Sequence, residues 1–394
     1  MSAWSSEKGE GGRGERPRVV ITGMGSVNAC TVGGTEAVAA ALARGRPAIA
    51  PVRAFATDGC RSHLAAEVEA SMLSGLLNRE TDRRLSRVCQ LAVAACRLAA
   101  ADARISGGPE LGIVVGSEFG DLRSTEEFFS AFLRRGSAAL SPLIFPNTVM
   151  NTMASAAAIA LDARAASVTI NQATIAGDLA VVRATALVAE GYATTMLAGG
   201  VDELSPPLYR HLAALGALSP MQGEGAEGCR PYAPDHNGPV LGEGATFVVL
   251  EELESARARG ATLHAEVTRG VWGNIPTAPH TAQPFRVDVH SPVRRFLAEL
   301  APGLPTCCYG SGNGDPRVDD WEVALLQREL PEAFGRAGSR PPRSLAPQFG
   351  QHGGLGVLRV VAAALDAARE RRPVLVHGIA RGGCRTSLWI EPPP

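Results

Sequence analysis

The sequence has no excess of charge of either sign: 38 Lys and Arg stand against 39 Asp and Glu, a net charge of −1 over 394 residues. With no basic stripe or Arg/Lys cluster, a nucleic-acid partner is not expected. No apolar run is long enough to span a bilayer and no secretory h-region opens the chain, so no membrane association and a cytoplasmic location are expected. The eight cysteines, Cys30, Cys60, Cys89, Cys96, Cys229, Cys307, Cys308 and Cys384, are scattered, and none forms a CxxC pair. Reduced, buried thiols are the expectation. The eight histidines show no ligand spacing, so no metal site is expected.

What is present is an ordinary globular composition, 45% hydrophobic and 20% charged, in a chain long enough for two core-sized units or one large α/β domain. Residues 1–16, polar and Gly-rich without periodicity, read as a disordered tail. From there β-branched runs alternate with Ala/Val/Leu periodic stretches. Strands are expected at 18–27, 111–120, 167–171, 194–204, 245–253, 263–273, 306–314, 344–350, 373–383 and 386–391. Helices are expected at 35–45, 87–103, 177–191, 292–301, 319–330 and 355–370. The alternation falls into two successive halves, 17–258 and 259–394. It implies an α/β fold with mainly parallel sheets covered by helices.

The stretch "SVTINQATIAGDLAVV" (167–182) reads as a strand passing through a turn into a helix. Such an elbow exposes one side chain beside a helix start that favours negative charge. Gln172 is expected at the elbow, and an amide is neither nucleophile nor base.

The most specific segment is "CRPYAPDHNGPVLGEGATFVVLEELESARARGA" (229–261). It resembles the β-ketoacyl synthase segment Pro-Phe-Asp-x-x-Arg-x-Gly-Phe-x-x-Gly-Glu-Gly-Ala. Pro231, Asp235, Gly238, Gly242, Glu243, Gly244 and Ala245 keep most of that pattern, with a spacing shift at the front and no arginine. "VVITGMGSV" near the start and "MLAGGVDELSP" (196–206) resemble the family's other fixed stretches. The resemblance runs from about residue 17 to about 391. It implies the thiolase-like fold, two similar βα halves in a five-layer αβαβα arrangement. It also implies dimerisation through "SVTIN", with Val168 and Ile170 buried there. Glu243, between glycines, reads as a structural carboxylate accepting backbone N–H groups.

The family's machinery is a cysteine that accepts the acyl chain from a carrier protein and two histidines that assist decarboxylation of malonyl units. Carried across residue by residue, the cysteine falls on Gln172. The Asn-Ala-His-Gly-Thr motif reads Tyr309-Gly310-Ser311-Gly312-Asn313, which puts Ser311 at the first histidine. Lys-Ser-x-x-Gly-His becomes Ala346 through Gln351, replacing lysine and second histidine, and Gly-Phe-Gly-Gly becomes Ala380-Arg381-Gly382-Gly383. His352, one place along, reads as a structural hydrogen-bonding group.

No catalytic residue is therefore expected among Gln172, Ser311, Gln351, Ala346 and Arg381. The pattern resembles the chain-length factor of type II polyketide systems. This implies a silent subunit that pairs with an active ketosynthase as a heterodimer, meets an acyl carrier protein and needs no cofactor. The alternative is a malonyl-carrier decarboxylase, or an active synthase with a rearranged site. Gln172 is expected to fill the old nucleophile cavity. Ser117, Gly120, Ser124, Phe128 and Ile144 align with the walls of the acyl tunnel. Gly120, Ser124 and Phe128 are expected on one helical face, with Phe128 as the floor.

Overall fold

The structure, a computed structural model, describes residues 17–78, 80–221, 225–277, 292–300, 305, 307–335 and 339–394. The expected tail at 1–16 lies outside them. The strands are β1 (Val19–Asn28), β2 (Thr31–Gly33), β3 (Ala50–Pro51), β4 (Leu64–Ala65), β5 (Leu111–Ser117), β6 (Ser167–Asn171), β7 (Thr195–Asp202), β8 (Gly244–Glu252), β9 (Ala265–Asn274), β10 (Cys308–Tyr309), β11 (Val374–Ile379) and β12 (Cys384–Glu391). The helices are α1 (Thr35–Arg44), α2 (Arg87–Ala103), α3 (Leu122–Arg135), α4 (Thr152–Leu161), α5 (Ala176–Ala189), α6 (Pro206–Ala214), α7 (Leu253–Ala258), α8 (Pro292–Leu300), α9 (Pro316–Glu329), α10 (Pro331–Phe334), α11 (Ala346–Phe349) and α12 (Leu355–Glu370).

One sheet carries ten of the strands, in the order β10-β11-β12-β9-β1-β8-β7-β5-β6 with β2 beside β1. Its two wings meet where Val20 pairs with Glu266 and Ile21 with Ala265. The sheet is mixed rather than mainly parallel. Among the strands of the described residues β5–β6, β5–β7 and β10–β11 run parallel, while β1, β7, β8, β9, β11 and β12 pair antiparallel. The reason is connectivity: β11 reaches β12 through a short turn instead of a helical crossover, and β8 returns to β7 after an excursion of some forty residues.

The helices α5 and α12 lie against each other and touch strands of both wings; α2 and α4 cover the outer face of one wing, α8 and α9 that of the other. These are the five layers. The middle helices explain their own placement, because both are apolar nearly all round and bury most of their residues. The segment 344–350, expected as a strand, forms α11 instead. Pro347 near its start cannot donate to a ladder but fits a first helical turn.

At one end of the sheet β6 pairs on one side only, with β5. Val168 and Ile170, expected to be buried in a dimer, are half-buried in the single chain and pack against the core beside an open strand edge.

Candidate functional site

Four loops converge where β6 enters α5. The turn itself is centred on Thr174, a β-branched residue at φ +61, with the Ile175 N–H donating to the Ala173 carbonyl at 2.5 Å. This is the strained kind of γ-turn, and a threonine in left-handed backbone is an outlier. Gln172, the residue aligned with the family's cysteine, lies between β6 and α5, two residues before Thr174. β6 ends at Asn171 and Gln172 only continues the chain into the turn, half-buried, its N–H 3.4 Å from the Ser117 carbonyl. The strain at Thr174 was invisible in the sequence because threonine normally disfavours it.

The loop after β5 supplies Glu118, whose Oε2 accepts the Thr174 N–H at 2.9 Å. Asp202, at the end of β7, anchors that loop: its Oδ1 accepts from Ser117 Oγ at 2.7 Å, Glu118 N at 3.1 Å and Phe119 N at 3.2 Å. Burial raises Asp202 to about 6. Burial and the Asp202 charge raise Glu118 to about 7, against the pull of the Thr174 N–H and Arg381.

The loop after α11 reaches the elbow through Gly353. A side chain on Gly177, in the first turn of α5, would lie 2.6 Å from the Gly353 carbonyl, so only glycine permits this approach. Gln351 is 7% exposed, and neither its Oε1 nor its Nε2 has a partner. His352 Nδ1 accepts the Gly354 N–H at 3.1 Å, and burial lowers its imidazole to about 4. It is the structural group expected. Ala346 is buried in the core, its N–H held by Ser344 Oγ at 3.1 Å.

The loop after β10 holds Ser311. Its Oγ accepts the Ile379 N–H at 2.8 Å and lies 3.1 Å from Glu322 Oε1. Glu322 also accepts from Tyr232 OH at 2.7 Å and pairs with His377 at 2.8 Å. The Ser311 hydroxyl is thus committed to a buried network. Arg381, on the turn from β11 to β12, bridges to Asp315 at 2.5 Å, and Arg317 holds the same carboxylate at 2.9 Å.

Glu243 behaves as the structural carboxylate expected, accepting from Val68 N at 3.0 Å, Leu204 N at 3.3 Å and Arg87 Nη2 at 2.9 Å. Burial raises the thiols of Cys30, Cys307 and Cys384 to about 11 and those of Cys89 and Cys229 to about 12. Thiols so raised are poor nucleophiles.

The residues aligned with a tunnel wall fall into two groups. Ser117 is buried with its hydroxyl spent on Asp202. Gly120 precedes α3, which Asp121 caps, so it does not share a helical face with Ser124 and Phe128. The Phe128 ring centroid lies 5.7 Å from that of Phe129 and 5.8 Å from that of Phe145. Ile144, half-buried, directly precedes the turn bearing Phe145.

Comparison with known proteins matches residues 16–256 to the family model for the beta-ketoacyl synthase N-terminal domain. The chain is 28% identical to a 3-oxoacyl-[acyl-carrier-protein] synthase 2 of Synechocystis, over 92% of this chain and 88% of the relative. It is 32% identical to the Vibrio cholerae enzyme of the same name, over 80% and 78%. It is also 31% identical to a putative polyketide beta-ketoacyl synthase 1 of Streptomyces virginiae, over 82% and 79%. Among solved structures, the ishigamide ketosynthase/chain length factor matches with a TM-score of 0.82 at 24% identity, covering 96% of this chain and 100% of that one. A beta-ketoacyl synthase from Burkholderia phymatum matches at 0.80 and 26% identity, with the same coverage.

Proposed function

The chain belongs to the β-ketoacyl synthase family, and from that premise we propose that it is a catalytically silent member, a chain-length factor. It pairs with an active ketosynthase as a heterodimer and shapes the tunnel that receives the acyl chain from an acyl carrier protein. One observation carries the reading: Gln172 stands at the end of β6 where the family's cysteine aligns, and neither Ser311 nor Gln351 can replace the histidine pair. Ser311 is committed to Glu322 and Ile379, and an amide at Gln351 cannot exchange protons near neutral pH.

The same absence weighs against decarboxylation by this chain alone, because the enolate formed as CO₂ leaves needs charged or polarised donors aimed at it. The amide of Gln172 is neither a nucleophile nor a base. The carboxylate beside Thr174 reaches its N–H, and function is argued from such a site and not from the fold.

The test is to purify the chain alone and with an active ketosynthase, and to supply each with malonyl-loaded carrier protein. The pair should make polyketide, whereas the chain alone should release no CO₂ above buffer. Release of CO₂ or formation of a condensation product by the chain alone would overturn the reading.

A further inference from the structure

We propose that a cavity between α1, the β3–β4 pair and α11 is a binding site for an amphiphilic carboxylate, a carboxylate group carried on a short apolar chain. None of its lining residues was aligned with the catalytic set or with the tunnel wall. The site stands whether or not the chain is silent.

The cavity holds about 470 Å³, within the range of small-molecule sites. Its floor is small and apolar. Ala41 on α1 and Ala65 on β4 are buried, and the half-buried Cys30 and Met72 line the space with them. Alanine at both buried positions leaves room that a larger side chain would fill. Gln348 on α11 ties the base together. Its Nε2 donates to the Ala41 carbonyl at 2.7 Å, and its own carbonyl accepts the Ala48 N–H at 3.0 Å and the Cys30 thiol at 3.2 Å. The chain leaving α1 is thereby pinned to α11, and the cavity keeps its shape without a ligand.

The rim carries the charge. Arg44 in the last turn of α1, Arg46 just past its Gly45 cap, and Arg53 after β3 are exposed and line the opening. Two acids line it as well, but both are committed. Glu67 accepts the backbone N–H groups of Arg53 and Ala54, each at 2.9 Å, and Glu69 accepts the Arg53 guanidinium at 2.8 Å. Arg44 and Arg46 pair with no carboxylate among the described residues. Two uncommitted guanidinium groups therefore stand over an apolar floor. Burial raises the Cys30 thiol to about 11, with the Ala48 N–H and the Arg44 charge pulling against it. The Arg44 charge is thus felt at the floor. Guanidinium N–H pairs match the two oxygens of a carboxylate, and an apolar chain attached to it gains by leaving water for the floor.

Octanoate is the probe, added to the full chain or to its complex with a ketosynthase. Binding in the cavity should slow alkylation of Cys30 by N-ethylmaleimide, read by peptide mass spectrometry. Cys60, half-buried and outside the cavity, is the internal control. Arg44→Gln combined with Arg46→Gln should raise the octanoate concentration for half-protection at least about tenfold, the scale of losing one charge-assisted hydrogen bond. Octanamide, with the same tail and no charge, should need a similarly higher concentration. Inorganic phosphate, with charge and no tail, should leave Cys30 unprotected where octanoate protects it.

No protection of Cys30 by octanoate would overturn the proposal. So would equal protection by octanamide or by phosphate, or half-protection unchanged in the double variant. Both arginines are exposed, so their replacement should cost little stability; should the double variant fail to fold, Arg46→Gln alone carries the same expectation. None of these readouts involves CO₂ release or condensation, so this proposal and the functional reading above fail separately.

Discussion

Arg359 on α12 donates to both carboxylate oxygens of Asp178 on α5, at 2.8 and 2.6 Å, with both side chains buried. This ion pair ties together the two helices of the middle layer directly behind the elbow. Burying two charges is offset only by their mutual attraction, so removing one partner leaves the other stranded. Arg359→Met alone, or Asp178→Leu alone, should cost about 3–5 kcal/mol, and the double replacement should cost far less. Urea unfolding of the three variants checks this; additive losses would show that the pair is not coupled.

His352 sets an acid limit on stability. Burial holds its folded pKa at about 4, below the ordinary value of 6.5. Between those values the unfolded chain takes up a proton that the folded chain refuses, so stability falls as pH drops through that window. The loss approaches roughly 3 kcal/mol at its lower end. Glu203 acts in the opposite sense: burial raises it to about 7, so its contribution weakens stability as pH rises from about 4.5 towards 7. The two windows overlap with opposite sign, so His352→Gln should leave the Glu203 effect unopposed, and stability should hold or rise as pH falls from 6.5 to 4.5. Denaturant midpoints measured across that range decide the matter.

A patch of exposed apolar side chains runs over α3, α4 and the segment between them, next to the unpaired edge of β6. Leu133, Leu143 and Ile159 are 81%, 87% and 83% exposed, and Phe129, Phe132, Phe145 and Val149 join them. Contiguous apolar surface beside an open strand edge marks an interface. Leu133→Asp and Leu143→Asp should abolish co-purification with a ketosynthase. Leu215→Asp, at another exposed leucine, after α6, should leave it intact. Size-exclusion chromatography after co-expression reads the difference.

Much of this arrangement was legible in the sequence. Alternating β-branched and Ala/Leu-periodic runs place most strands and helices, and the 229–261 segment identifies the family. Periodicity fails where a single residue decides. It cannot reveal that β11 and β12 form a hairpin, because strand direction is set by what joins the strands. It misses α11, where a short apolar run around Pro347 suits either state. At the elbow it does not reveal the strained φ at Thr174, which is imposed by the surrounding packing and contradicts threonine's own preference. Glu118 left no signal either, since its partner is a backbone N–H 56 residues further along the chain.

The tunnel assignment leads to a prediction about product length. Gly120 has φ +70, and a side chain there would sit 2.6 Å from Met150 Sδ. Enlarging Gly120 would strain the backbone and collide with Met150, so it is a poor probe of the tunnel; Met150 is the better one. Phe128, edge-on to Phe129 and tilted against Phe145, is the bulkiest of the side chains aligned with the tunnel wall. If the proposed partnership holds, Phe128→Ala opens space equal to a phenyl ring and should lengthen the product or broaden its distribution. Ser124→Phe adds a ring one turn away on the same helix and should shorten it. Met150→Ala should lengthen it by less than Phe128→Ala, because a thioether chain fills less volume than a ring. The reconstituted pair should keep its condensation rate within about threefold in each case, since none of these residues touches the elbow. Mass spectrometry of the products gives the answer: unchanged length in all three variants of an intact complex would remove α3 and its neighbouring turn from the tunnel wall.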